Sequence, residues 1–265
     1  MKKFTPFLLL AALFLSSSCT TYPKPEIGKA LHIGDDVLKD YRPATTLVTE
    51  KHLISKAKYP VVDVHTHFGL DQDPEVILKS MDALGVKRVV NLSGGWGDKL
   101  NKILQKFKNF APERFIIMCN IDFSRIDEEA FGQKMSAFLE EAHSKGVGGL
   151  KIYKSLGLSI KDKSGNIVPV DDPRLDAIWA KAGELGMPVL IHVADPAAFF
   201  QPIDRFNERW LQLKRHPDWS FYGNEFPSRE SILKQRNNVI ARHPDTLFIG
   251  AHVGNSAEDL KYISE

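Results

Sequence analysis

The sequence predicts an α/β domain built on a parallel sheet with helices outside it. Three observations carry this. From Val61 onward, short apolar runs alternate with stretches of helical periodicity, the way strands joined by crossover helices read. Proline and glycine stand where helices start and stop: Pro74 opens one that Gly85 closes, and Gly146 closes another. Ionisable residues recur within or at the ends of the apolar runs, histidines at 65, 67, 192 and 252 and a lysine at 151.

The first strand, 61–67, reads Val-Val-Asp-Val-His-Thr-His and runs into Phe68-Gly69 as a buried strand. Side chains alternate along an extended chain, so His65 and His67 share one face and Val62, Val64 and Thr66 the other. Two imidazoles about 7 Å apart on one face can converge on a single divalent ion. Two half-buried histidines on an ordinary strand are the plainer alternative. Asp63 falls on the histidine face, one layer deeper. Residues 74–84 form the first helix and 88–92 the second strand, which leads into the loop Ser93-Gly94-Gly95-Trp96-Gly97. A helix follows at 98–110, a strand at 115–121 and a long helix at 128–145.

Strand four, 148–153, sets Lys151 among apolar neighbours, where an unpaired charge is expensive unless it serves a site or reaches out of the sheet. Alternation sends Lys154 to the opposite face. Residues 173–185 are helical, and strand five, 188–193, ends on His192 with Asp195 just beyond it. Residues 194–230 are an insertion rich in Phe, Trp and Pro, with a helix at 203–215. They read either as a lid over strand five or as a self-packed excursion. A helix at 228–242 precedes strand six, 246–252, where Gly250 and Ala251 lead to His252. His32, His52, His143, His216 and His243 read as surface residues.

Composition narrows the function classes. There are 35 basic and 33 acidic residues and a net charge of +2, so no nucleic-acid footprint shows. The two cysteines, Cys19 and Cys119, make no disulfide framework, and Cys119 sits in an apolar run as a small buried thiol. Residues 1–19 read as a signal peptide: Lys2 and Lys3 precede an apolar core too short to span a bilayer, then Ser16-Ser17-Ser18. Cys19 resembles the lipidated cysteine of bacterial lipoproteins, although Ser16 stands where those usually carry leucine. The expectation is an exported protein, lipid-anchored to the bacterial cell-envelope membrane; a plain secretory signal is the alternative. Residues 20–58 form a proline-containing tether and N-terminal arm, and 59–265 the folded domain.

Val62-Asp63-Val64-His65-Thr66-His67 resembles the first-strand signature of the amidohydrolase superfamily, in particular its branch of amidohydrolase-related hydrolases and decarboxylases. That resemblance covers residues 59–265 and implies a (β/α)8 TIM barrel with metal ligands at the C-terminal strand ends. Six strand–helix units can be counted, so the barrel is expected to be incomplete, with its last quarter missing; a shorter open sheet is the alternative. The resemblance implies that His65, His67 and His192 hold a divalent metal, zinc first, as one or two ions. Imidazole donors suit that metal chemistry. His252 would ligate a second ion or polarise substrate and water. Lys151 would either carry a bridging carbamate or bind substrate, and Asp195 is a pocket residue. The implied aspartate after strand eight has no counterpart in the sequence.

The implied activity is hydrolysis of an amide, ester or lactone bond in a small-molecule substrate by a metal-activated water. Two alternatives stand beside it. One is metal-dependent, non-oxidative decarboxylation on the same site, and the other an exported binding lipoprotein without catalysis.

Overall fold

The structure is a computed structural model and describes residues 47–50 and 52–264. The signal peptide, Cys19, His32 and most of the arm lie outside the described residues. Among the described residues, no helix is long and apolar enough to cross a membrane.

Six strands form one parallel sheet in chain order. They are β1 (Val61–Thr66), β2 (Val86–Asn91), β3 (Phe115–Cys119), β4 (Gly149–Ile152), β5 (Val189–Ile191) and β6 (Phe248–Gly250). Between them run α1 (Pro74–Leu84), α2 (Gly97–Ile103), α3 (Phe131–Ser144), α4 (Asp176–Glu184), α5 (Trp210–Arg215) and α6 (Arg229–Arg242). The sheet curls far enough for side chains from its two end strands to meet at the mouth. The ring of His65, on β1, lies 5.0 Å from that of His252, just past β6. The result is a curled half-barrel of TIM type. Among the described residues β1 pairs only with β2, and β6 only with β5.

Strand alternation sorts the core into two layers. Val89, Ile117, Leu150, Ile152, Val189 and Ile191 face outward onto the helices, where they join Phe107, Leu139, Ile178 and Trp179. Val90, Leu92, Met118, Leu190 and Ala251 form a smaller cluster on the inner face. Lys151 lies between Leu150 and Ile152 and in register with Leu190, so its side chain enters the inside of the curl. β3, β4 and β5 are sheltered almost throughout, which explains the apolar sequences of β3 and β5 and leaves Lys151 as the one charge in β4.

Several elements differ from expectation. β1 is largely exposed, with Val64 at 53 %, because no helix among the described residues packs extensively against it. The helix expected at 98–110 ends at Ile103 and widens into a π-turn over Leu104–Lys108. The 128–145 helix begins only at Phe131, after Ala130 in left-handed conformation. In the insertion, the expected helix at 203–215 shrinks to Trp210–Arg215, flanked by single turns at Ala197–Phe200 and Pro217–Trp219. Strand six stops at Gly250, and His252 lies in the turn Ala251–Asn255.

Candidate functional site

The C-terminal ends of the strands gather the residues singled out above. On β1, the register shifts between Asp63 and Thr66, and the Asp63 carboxylate accepts a hydrogen bond from the His65 amide at 3.1 Å. The exit from β1 is pinned by Asn91, whose side chain accepts from the Phe68 amide at 2.9 Å and donates to the Phe68 carbonyl at 3.0 Å. Thr66 turns away and bonds the Val90 carbonyl at 2.8 Å. His65 and His67 are left projecting together, with ring centroids 5.2 Å apart. From His65 the series continues to His252 at 5.0 Å, and from there to His192 at 4.7 Å. Four imidazoles from β1 and the exits of β5 and β6 thus form one contiguous line.

Second contacts orient them. The Nδ1 of His67 lies 3.0 Å from Ser93 Oγ and 3.4 Å from the Tyr153 hydroxyl, which donates to the Leu92 carbonyl at 2.9 Å. Asn120 ties the tips of three strands: it accepts from the Gly95 amide at 2.8 Å and donates to the carbonyls of Leu92 and Lys151, each at 3.2 Å. Lys151 is 1 % exposed, its Nζ lacks a hydrogen-bond partner among the described residues, and the Tyr153 ring centre lies 5.2 Å away.

Asp195 is buried and accepts from Lys154 at 2.5 Å; its other oxygen lies 3.6 Å from His192 Nε2, too far for a hydrogen bond. Lys154 therefore belongs to the mouth and not to the opposite face. β4 ends at Ile152, so alternation no longer governs it. A cavity of about 420 Å³ opens beside His192, Asp195, Arg209 and His252, and another of about 630 Å³ beside Trp96, Asn120, Lys151 and Tyr153.

Burial, with the Lys151 charge beside it, sets the electrostatics. Partial burial, then the Lys151 charge and the neighbouring rings, lower His65 to about 4. The same influences lower His67, and burial, then His192 and Lys151, lower His252 against the opposing charge of Asp195. Burial pushes Lys151 down to about 8. Burial opposes ionisation of Asp195, but His192 and Lys154 hold it below the usual carboxylate range. Near neutral pH, His65, His67 and His252 are accordingly unprotonated, with free lone pairs. The His192 Nε2 is buried without a hydrogen-bond partner among the described residues. Neutral imidazoles around an unsatisfied nitrogen are a donor set that suits a divalent ion. As the side chains stand, no three His, Cys, Asp or Glu among the described residues enclose a common point.

Ser93, Asn120 and Tyr153 were not foreseen as site residues. Tyr153 was within reach, since alternation puts it on the face of Lys151; Asn120 gives no local signal. In the insertion, Phe200, Phe221 and Phe226 pack in series at 5.5 and 5.4 Å, the first pair tilted and the second edge-on, and the Phe221 ring also lies 5.3 Å from Lys154 Nζ. His52, His143 and His216 are exposed. His243 departs from expectation, because its side chain is 12 % exposed and reaches Asp176 at 3.2 Å.

A family model described as amidohydrolase matches residues 62–263. No curated protein matches the chain. Among solved structures, 2,6-dihydroxybenzoate decarboxylase in complex with 2,6-dihydroxybenzoate is similar at 15% identity, covering 77% of this chain and 70% of that one, with a TM-score of 0.53. The 2,6-dihydroxybenzoate decarboxylase from Rhizobium gives 15% identity, coverage of 77% and 69%, and a TM-score of 0.50. At this identity the likeness is one of fold.

Proposed function

We propose a function from one premise: the chain belongs to the amidohydrolase family. The mouth of the half-barrel is then a divalent-metal site acting on a small molecule, and the reaction is hydrolysis of an amide, ester or lactone. His65, His67 and His192 hold the ion, for which zinc is the first candidate. The observation that carries this reading is the line of imidazoles at 5.2, 5.0 and 4.7 Å, drawn from both ends of the sheet. When bound, the ion supplies Lewis-acid polarisation and brings the pKa of water toward neutrality.

The protein's own groups divide the remaining work. His252, held unprotonated, accepts a proton from the attacking water. The Lys151 ammonium, without a hydrogen-bond partner among the described residues, faces the negative charge that develops on the substrate oxygen. Ser93 and Tyr153 occupy Nδ1 of His67, which leaves Nε2 for the ion. Asp195 lines the pocket and orients Lys154.

Non-oxidative decarboxylation is the second reading. The two solved structures with TM-scores of 0.53 and 0.50 favour it, since both are decarboxylases of an aromatic acid. One experiment separates the two. The purified protein, loaded with zinc or manganese, is offered a panel of amides, esters and lactones and a panel of carboxylated arenes. Hydrolysis predicts acid release from the first panel alone, and carbon dioxide from the second would replace it. His65→Ala and His192→Ala should each lose the metal by elemental analysis. Wild-type protein that retains no metal would remove the reading altogether. Export through lipidated Cys19 remains part of the proposal, and Cys19→Ser should abolish lipid labelling and release the protein from membranes.

A further inference from the structure

His192 and His252 stand on two loops whose backbones are conformationally costly. Ala194, after β5, has φ 60°, and after β6 His252, Val253 and Asn255 have φ 54°, 56° and 55°. A non-glycine residue in this region costs about 1–2 kcal/mol, so such loops persist only where their surroundings hold them. Asn255 supplies one tie, donating to the Ala194 carbonyl at 3.1 Å. Arg236 supplies another, to the Gly254 carbonyl.

Arg229 reaches both loops at once. Its Nε donates to the Asp195 carbonyl at 3.2 Å, and its terminal nitrogen donates to the Asn255 carbonyl. Glu258 meets the same nitrogen at 3.2 Å and also accepts from the Ala197 amide at 2.8 Å, extending the clamp along the first loop. The Arg229 side chain is 13 % exposed. It opens α6, which Ser228 caps and whose Ile232, Leu233 and Val239 are buried, so the guanidinium is mounted on a rigid element.

We propose that Arg229 is the positioning residue of this site: one guanidinium clamps the His192–Asp195 loop to the turn carrying His252, and so sets the spacing of the two imidazoles. It touches no reacting atom. The proposal rests on the metal-site reading for what the spacing is for, while the clamp itself is testable without metal. The planar fork matters because two nitrogens at fixed spacing reach two carbonyls and a carboxylate, whereas an ammonium offers one nitrogen on a flexible stem.

The experiment uses the full 265-residue chain as wild type, Arg229→Ala, Arg229→Lys and the control Arg242→Ala, on the exposed side of the same helix. Amide hydrogen exchange is followed without metal, and Co²⁺ binding by its visible absorption. Arg229→Ala should raise exchange in both 192–197 and 251–258, but not in β2 to β4. It should weaken Co²⁺ binding by about 10- to 100-fold, the usual range for a group that orients ligands. Guanidinium ion at millimolar concentration should restore much of the binding, and Arg229→Lys should not. Exchange unchanged in either loop, or Co²⁺ affinity within twofold of wild type, overturns the clamp. So does a chain-wide rise in exchange without guanidinium rescue. Should Arg229→Ala fail to fold, Glu258→Gln takes its place and should raise exchange in both loops; no change would overturn the proposal. If wild-type protein fails to bind Co²⁺, the metal reading falls and exchange alone decides the clamp.

Discussion

Lys151 has a side chain suited to the surface in a place that is 1 % exposed. Nothing among the described residues accepts a hydrogen bond from its Nζ, so burial brings its pKa to about 8. The sign of the resulting pH dependence follows. The folded pKa lies below the unfolded value of 10.5, so between them the unfolded chain binds more protons, and stability rises with pH. Metal-free wild type should gain roughly 3 kcal/mol between pH 8 and 10.5 relative to Lys151→Met. Urea unfolding of both proteins at a series of pH values measures the difference. At pH 7, Lys151→Met should be the more stable protein and the one without turnover. A charge kept where it destabilises the fold is a mark of function. Equal stability of the two proteins across that pH range would mean that Lys151 is not buried as an unpaired ammonium.

At the scale of elements, the connections carry the strain and the strands do not. The β2 loop runs so close to β3 that a Cβ at Gly94 would lie 2.3 Å from the Met118 carbonyl oxygen. Gly94→Ala should therefore lower the melting temperature by several degrees, as overpacking of about 1–3 kcal/mol does. It should also disturb His67 through the neighbouring Ser93. The turn after β6 predicts the opposite sign. Val253 has φ 56° and is 51 % exposed, so it has little packing to lose. Val253→Gly should stabilise the protein by about 0.5–1 kcal/mol, the relief of a left-handed β-branched residue less the extra chain entropy of glycine. Calorimetry of the two variants checks both signs.

At the scale of the molecule, both ends of the sheet expose apolar side chains among the described residues. β1 presents Val61, Val62 and Val64 at 38, 45 and 53 %, and Leu247 and Ile249 beside and on β6 stand at 66 and 36 %. Unpaired strand edges with apolar side chains invite pairing with another chain. The purified 265-residue chain should accordingly self-associate with rising concentration, seen by light scattering after size exclusion. Val62→Lys with Val64→Lys should reduce that association without unfolding the sheet. A strictly monomeric wild type at all concentrations would show that these edges are covered.

Much of this was legible in the sequence because it is local. Apolar alternation and helix punctuation locate β1 to β5 within a few residues. They also bring His65, Lys151 and His192 to the strand ends, since side-chain direction in a strand depends only on position along it. His67, one residue past β1, keeps its ring beside that of His65 at 5.2 Å. What the tertiary structure alone decided begins where the strands stop. The ring of His252 meets those of His65 and His192 because the sheet curls and because Ala251–Asn255 leaves the strand in a left-handed turn. Lys154 joins Asp195, and Arg229 reaches two loops, through contacts 41 and 34 residues apart in the chain. The sequence by itself determined which groups stand at the strand ends. Only the fold decided which of them meet, because convergence depends on curvature and on long-range hydrogen bonds that no local pattern encodes.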